Sequence, residues 1–172
     1  MEIQPKSLQE PLPNGRYSRY REAAQTILRA YNEWTLYSLL SFRDSHCVHE
    51  IRPHSLKIPT LTNSGYAKYI EPHIAGLKNY NLQIHDLVED TEAKKMVLLV
   101  SSAADSSTGP YNTESTFILY LNEEGNKVVR FIEFVDSRTY LELSQELKDE
   151  IINDEDECRH SMRKNFATFA VN

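Results

Sequence analysis

The chain has 172 residues, 40% of them hydrophobic and 26% charged, with a formal net charge of −6, a size that fits one domain able to bury about two-thirds of its unfolded surface without disulfides. Acidic residues are spread along the chain apart from the late run Asp149 to Glu157, so there is no basic stripe to hold nucleic acid or anionic lipid, and neither partner is expected. No apolar run approaches the roughly 20 residues that span a bilayer and the first residues lack the apolar segment of a secretory leader, so a cytoplasmic location is expected.

Residues 1–16 hold three prolines and polar groups and are expected to form a tail; residues 17–152 form the domain and residues 153–172 a second tail. From Tyr17 to Leu40 the apolar positions Tyr20, Ala23, Ala24, Ile27, Leu28, Tyr31, Trp34, Leu36, Leu39 and Leu40 recur at helical spacing, with Asn32 and Thr35 marking a break into two helices. Trp34, the single tryptophan, suits either a core anchor or a pocket wall.

Ser45 to Arg52 reads as a short strand stopped by Pro53. His46 and His49 would share a helix face, but in a strand they point to opposite sides and no third ligand follows, so a metal site is not expected. Thr62 or Asn63 caps a further helix through Tyr66, Tyr69, Ile70, Ile74 and Leu77, which Pro72 kinks or divides. Strands follow at Leu82 to Glu89 and Ala93 to Ala104, joined by a turn at Asp90 to Glu92, and residues 105–110 are expected to be a flexible loop.

Gly109 to Leu121 and Lys127 to Asp136 then make a β-hairpin around Asn122 to Asn126, where Gly125 supplies the positive φ of a short turn. In the second strand Val129, Phe131, Glu133 and Val135 share one face, leaving Glu133 as a carboxylate in an apolar row. Such a group either reaches a partner or is pushed toward its neutral form, and both environments produce general acids and bases as well as inert structural carboxylates. Both strands are apolar on both faces, so the sheet needs covering twice, and a homodimer through its outer face is expected. A last helix runs from Ser137 to Ile152, and Cys47 and Cys158 lie in neither metal-ligand nor redox spacing. The fold class is α+β, a cone in which a curved antiparallel sheet wraps around the N-terminal helices and encloses a pocket.

Tyr31-Asn32-Glu33-Trp34, Phe42-Arg43-Asp44-Ser45-His46-Cys47-Val48-His49 with Pro53 and Leu56, Gly109-Pro110-Tyr111-Asn112-Thr113-Glu114, and Phe131 to Ser137 together resemble the fungal SnoaL-like proteins of the NTF2-like superfamily. The resemblance spans roughly residues 20 to 150. It implies a cofactor-independent isomerase, cyclase or dehydratase of secondary metabolism acting on a hydrophobic polycyclic intermediate of polyketide, meroterpenoid or indole alkaloid type. One similar branch directs a semipinacol rearrangement, and its catalytic Arg, Tyr and Glu fall on Arg43, Tyr111 and Glu133 here. A second pocket Tyr of that branch falls on Ser115, a departure that bears on substrate.

On this reading Glu133 moves a proton, Arg43 holds a developing oxyanion or fixes the ionisation of Glu133, and Tyr111 donates a hydrogen bond. Arg43 has the alternative of capping a helix end, and Tyr111 of packing at a rim. Trp34, Glu114, Ser115, Phe131 and His85 are the expected substrate-binding positions; Glu114 and Asp136 are alternative acids, and His49, His54 and His85 alternative bases. No cofactor is expected. The competing functions are a dehydratase, with His85 or His54 as the second proton-transfer group, and a non-catalytic small-molecule or protein-binding module.

Overall fold

The computed structural model describes residues 18–149, so the expected tails lie outside the described residues, as does Cys158. The chain divides into two compact units after Ser137.

Helix α1 (Arg19–Glu33) starts where the Ser18 hydroxyl accepts from the Arg21 N–H, and it ends at Trp34, whose left-handed backbone (φ 48°) cannot continue the helix. Its stripe of Tyr20, Ala23, Ala24, Ile27, Ala30 and Tyr31 is buried, with each large apolar side chain worth about 2 kcal/mol. Asn32 docks this helix onto the sheet: its Oδ1 accepts from the Leu82 N–H at 2.7 Å and its Nδ2 donates to the Leu82 carbonyl at 3.3 Å. Helix α2 (Leu36–Ser41) opens with a capping box in which Thr35 and Ser38 satisfy each other's backbone N–H groups. Helix α3 (Asn63–Gly76) is capped by the Thr62 side chain and continues through Pro72 as one helix.

Five strands form one sheet: β1 (Arg43–Arg52), β2 (Lys78–Asp90), β3 (Lys95–Ser106), β4 (Gly109–Leu121) and β5 (Val128–Val135), in the order β1-β5-β4-β3-β2. Strands β2 to β5 form the expected antiparallel meander, but β1 pairs with β5 in parallel, so the sheet is mixed rather than wholly antiparallel. The reversal follows from the intervening chain: a 3₁₀ turn at His54–Leu56 and α3 separate β1 from the meander, so β1 joins the open edge of β5 by a long connection instead of a hairpin. The flexible loop expected at residues 105–110 is also corrected. The β3–β4 pairing runs to Ser106 opposite Gly109, leaving only Ser107 and Thr108 in a tight turn. At the β4–β5 turn Gly125 takes φ 69°, and Asn122 Oδ1 accepts from the backbone N–H groups of Asn126 and Lys127.

Alternation sets the two faces. Cys47, His49 and Ile51 of β1, Phe131 and Glu133 of β5, Ser115, Phe117 and Leu119 of β4, Val100 and Ser102 of β3, and Leu82 and Ile84 of β2 face the helices. Glu114, Ile118, Leu99, Ile132 and Phe134 face the other way, and Leu99 and Phe134 are exposed there. Residues 137–149 are helical, and the continuation expected to Ile152 lies outside the described residues. No helix among the described residues is long and apolar enough to cross a membrane.

Candidate active site

The helix-facing side of the sheet is apolar at Met96, Leu98, Leu119 and Phe131, then becomes polar around Glu133. Register creates this site. Glu133 stands opposite Phe117 of β4 and Ile51 of β1, while His49 stands opposite Phe131, one pleat along the same face. That diagonal lets His49 Nε2 reach Glu133 Oε2 at 3.1 Å.

His49 is fully buried, and its ring lies stacked between Tyr66 (4.8 Å, 17°) and Phe131 (4.4 Å, 10°). Arg43, also buried, places Nη1 3.3 Å from His49 Nδ1, donates from Nε to Asn63 Oδ1 at 2.9 Å, and lays its guanidinium 4.2 Å from the Tyr66 ring centre. Asn63 is held in turn, donating from Nδ2 to the Asp44 carbonyl at 2.7 Å. The result is a continuous line, Asn63–Arg43–His49–Glu133, drawn from α3, β1 and β5 and sandwiched by aromatic rings. Arg43 Nη2 is buried with no hydrogen-bond acceptor among the described residues.

Four tyrosines stand within electrostatic reach of Glu133. Burial raises the Tyr31 and Tyr80 hydroxyls well above their ordinary range, and it pushes Tyr66 and Tyr111 to about 12; the Glu133 charge adds to all four. They are therefore neutral O–H donors at any physiological pH. Tyr31 donates to the Tyr66 hydroxyl, and Tyr80 donates to Ser102 Oγ at 2.7 Å. Trp34 stacks face to face on Tyr80 at 3.6 Å and donates its indole N–H to the Leu77 carbonyl, so it forms a rigid wall. Burial lowers the His49 and His73 imidazoles below their ordinary value, which keeps both neutral. His73 Nδ1 lies 2.9 Å from the Tyr69 carbonyl, an acceptor only, so that nitrogen carries the proton.

Of the sequence-predicted positions, Arg43, Tyr111, Glu133, Trp34, Ser115 and Phe131 lie on the helix-facing side or pack against it. Arg43 is not a helix cap: it opens β1, and its side chain is spent on Asn63 and His49. Two positions require correction. Glu114 projects from the opposite face of β4, because it alternates with buried Ser115, and His85 is exposed and bonded to Ser101 Oγ at 2.6 Å on that same outer face. His54 belongs to a 3₁₀ turn after Pro53, and Asp136 follows the end of β5, where its charge acts on Tyr111. Sequence reasoning missed Tyr66, Tyr80, Asn63 and His73 as site residues. Tyr66 reads as a core position of its helix, and Tyr80 lies among strand-poor asparagines, Asn79 and Asn81, one of which adopts φ 52°. Among the described residues no group of three or more His, Cys, Asp or Glu is arranged to hold a metal ion.

No protein-family model matches the chain. It is 37% identical over 109 residues to the austinoid biosynthesis clusters protein H of Penicillium brasilianum, covering 59% of this chain and 72% of that relative. It is 26% identical over 113 residues to the monooxygenase nsrQ of Aspergillus novofumigatus, covering 66% and 75%. Among solved structures, the BvnE pinacolase from Penicillium brevicompactum superposes with a TM-score of 0.72 at 27% identity, covering 76% of this chain and 92% of that one. With its α+β architecture and these relatives, the chain belongs to the fungal SnoaL-like isomerases and cyclases of the NTF2-like superfamily, enzymes of secondary metabolism.

Proposed function

We propose that the protein isomerises or cyclises a hydrophobic polycyclic secondary metabolite by proton transfer at Glu133, with a semipinacol-type rearrangement as the specific chemistry. The observation that carries this reading is a partly exposed carboxylate: Glu133, with 19% of its side chain accessible, is tethered by one oxygen to a fully buried histidine and lies within electrostatic reach of neutral tyrosines. One oxygen is engaged; the other is available to a substrate proton.

In the proposed step Glu133 takes the proton of a substrate hydroxyl as that oxygen forms a carbonyl. A carbon–carbon bond migrates with its electron pair to the adjacent carbon, and the carbon–oxygen bond there breaks with its pair on oxygen. Tyr111 supplies a donor for that developing oxyanion, and the buried Arg43 guanidinium lends its positive charge through His49. The proton held by Glu133 then returns to the product, so the atoms balance without an external reductant. The aromatic side chains packed around the site, with Trp34 stacked on Tyr80 and Phe131 on His49, make its surroundings apolar, which suits a hydrophobic ligand. The pinacolase name of one structural relative supports rearrangement, and the austinoid-cluster name of another supports a polycyclic substrate.

The test is incubation with oxidised polycyclic intermediates bearing a hydroxyl on the carbon next to an epoxide, so that the oxygen released at one carbon stays bonded to the other, with product isomers resolved by chiral chromatography. Conversion without mass change, with and without dioxygen, supports the reading. A product gaining oxygen, formed only with dioxygen, would instead favour the activity named for the nsrQ relative. Ligand binding without conversion would reduce the site to a carrier.

A further inference from the structure

We infer that His49 is a positioning residue, a neutral imidazole fixed in its Nε2–H tautomer that holds one oxygen of Glu133 and orients the other toward substrate. The inference rests on Glu133 as proton acceptor, and it assigns His49 a defined job distinct from being a base.

Donor and acceptor chemistry settles the tautomer. A guanidinium has N–H donors and no acceptor, so Arg43 Nη1, 3.3 Å from His49 Nδ1, requires a lone pair on Nδ1. The ring proton must then sit on Nε2, which lies 3.1 Å from Glu133 Oε2 and donates to it. A doubly protonated ring would set an N–H against the guanidinium at that same distance. Stacking between Tyr66 and Phe131 removes ring rotation, and Asn63 prevents Arg43 from swinging away.

The groups facing the pair are consistent. Tyr31 from α1, Tyr66 and His73 from α3, Tyr80 from β2 and Tyr111 from β4 surround Glu133, and all are neutral. Arg43 and Glu50 of β1 are the charges nearest His49, with Glu50 bound to Arg52 and Arg130 on the outer face. Arg43 is the cation within this line, bonded to Asn63 and His49, and it reaches Glu133 through the histidine.

Two measurements test this. In wild type, long-range proton–nitrogen correlation of the imidazoles, with His49 assigned by its loss in His49→Gln, should show the neutral Nε2–H form at about pH 7 and again near pH 5.5, well below an ordinary histidine midpoint. An Nδ1–H or doubly protonated ring at about pH 7 overturns the inference whatever Glu133 does. In the steady-state kinetic profile, His49→Gln should lower kcat roughly tenfold with KM nearly unchanged, because a flexible amide in place of the stacked ring no longer fixes the carboxylate. Glu133→Gln should be inactive throughout. If Glu133→Gln is inactive while His49→Gln keeps the wild-type profile, the positioning role fails alone. If Glu133→Gln turns over normally, the proton-acceptor reading itself fails.

Discussion

Asn32 offers the sharpest test of how the scaffold holds the site. Its amide closes two backbone groups of Leu82, a residue 1% exposed on edge strand β2, through bonds of 2.7 and 3.3 Å. Leu82 already pairs with Ser102 in the sheet, so the Asn32 bonds satisfy the strand's outward-pointing edge, where no further strand exists among the described residues. Asn32→Ala strands a buried N–H and weakens its carbonyl neighbour, for a cost of about 2 kcal/mol. At about 2–4 °C per kcal/mol for a chain of this size, the midpoint of thermal unfolding should fall by roughly 4–8 °C. Asn32→Asp keeps the shorter bond, loses the longer and sets a carboxylate against the carbonyl, so it should fall between wild type and Ala at high salt and below that at low salt. Because Tyr31 and Tyr80 sit beside these anchors with ring centres 6.3 Å apart, loosening should also reduce turnover more than ligand affinity. Differential scanning calorimetry reads the first effect; an Ala variant melting within about 1 °C of wild type would refute the docking role.

Stability should fall on mild acidification. His49 and His73 are both held neutral in the folded protein by burial, whereas the unfolded chain protonates them near pH ~6.5. Below that point the unfolded state binds more protons, so folding free energy drops with pH by up to about 1.4 kcal/mol per unit for each histidine until the folded values are reached. Urea unfolding at about pH 7 and about pH 5.5 measures this, His49→Gln should remove close to half the slope, and a flat profile would contradict neutral burial. The outer sheet face, with Leu99 and Phe134 47% and 46% exposed and aligned with Thr116 between them, should pair two copies of the chain. Light scattering should give a dimer mass that Leu99→Asp halves; a monomer in wild type at micromolar concentration would remove this expectation.

Much of the scaffold was legible because period and punctuation agreed. The Tyr20 to Tyr31 stripe gave α1, and Gly125 between two β-branched runs gave the β4–β5 turn, each from local chemistry. The parallel β1–β5 contact was not legible, since no local signal in Ser45 to Arg52 says which edge a lone strand will join. The site divides the same way. Alternation within β4 and β5 places Glu133 on the apolar face and Glu114 opposite it. His85 follows Ile84 and so falls on the outer face with Ser101, away from the helix-facing Leu82 and Ile84. The partnership of Arg43 with His49 crosses a β-bulge between Arg43 and Val48 that breaks simple alternation, so only coordinates could bring those side chains together.

The most direct measurement is the product distribution from an oxidised polycyclic substrate with wild type and with Glu133→Gln, both verified as folded by circular dichroism. The amide can still accept the His49 hydrogen bond but cannot take a proton, so rearranged product should fall by about a hundred- to ten-thousandfold while binding persists. Equal rearrangement by the two proteins would show that Glu133 is a structural carboxylate and that the acid–base account is wrong.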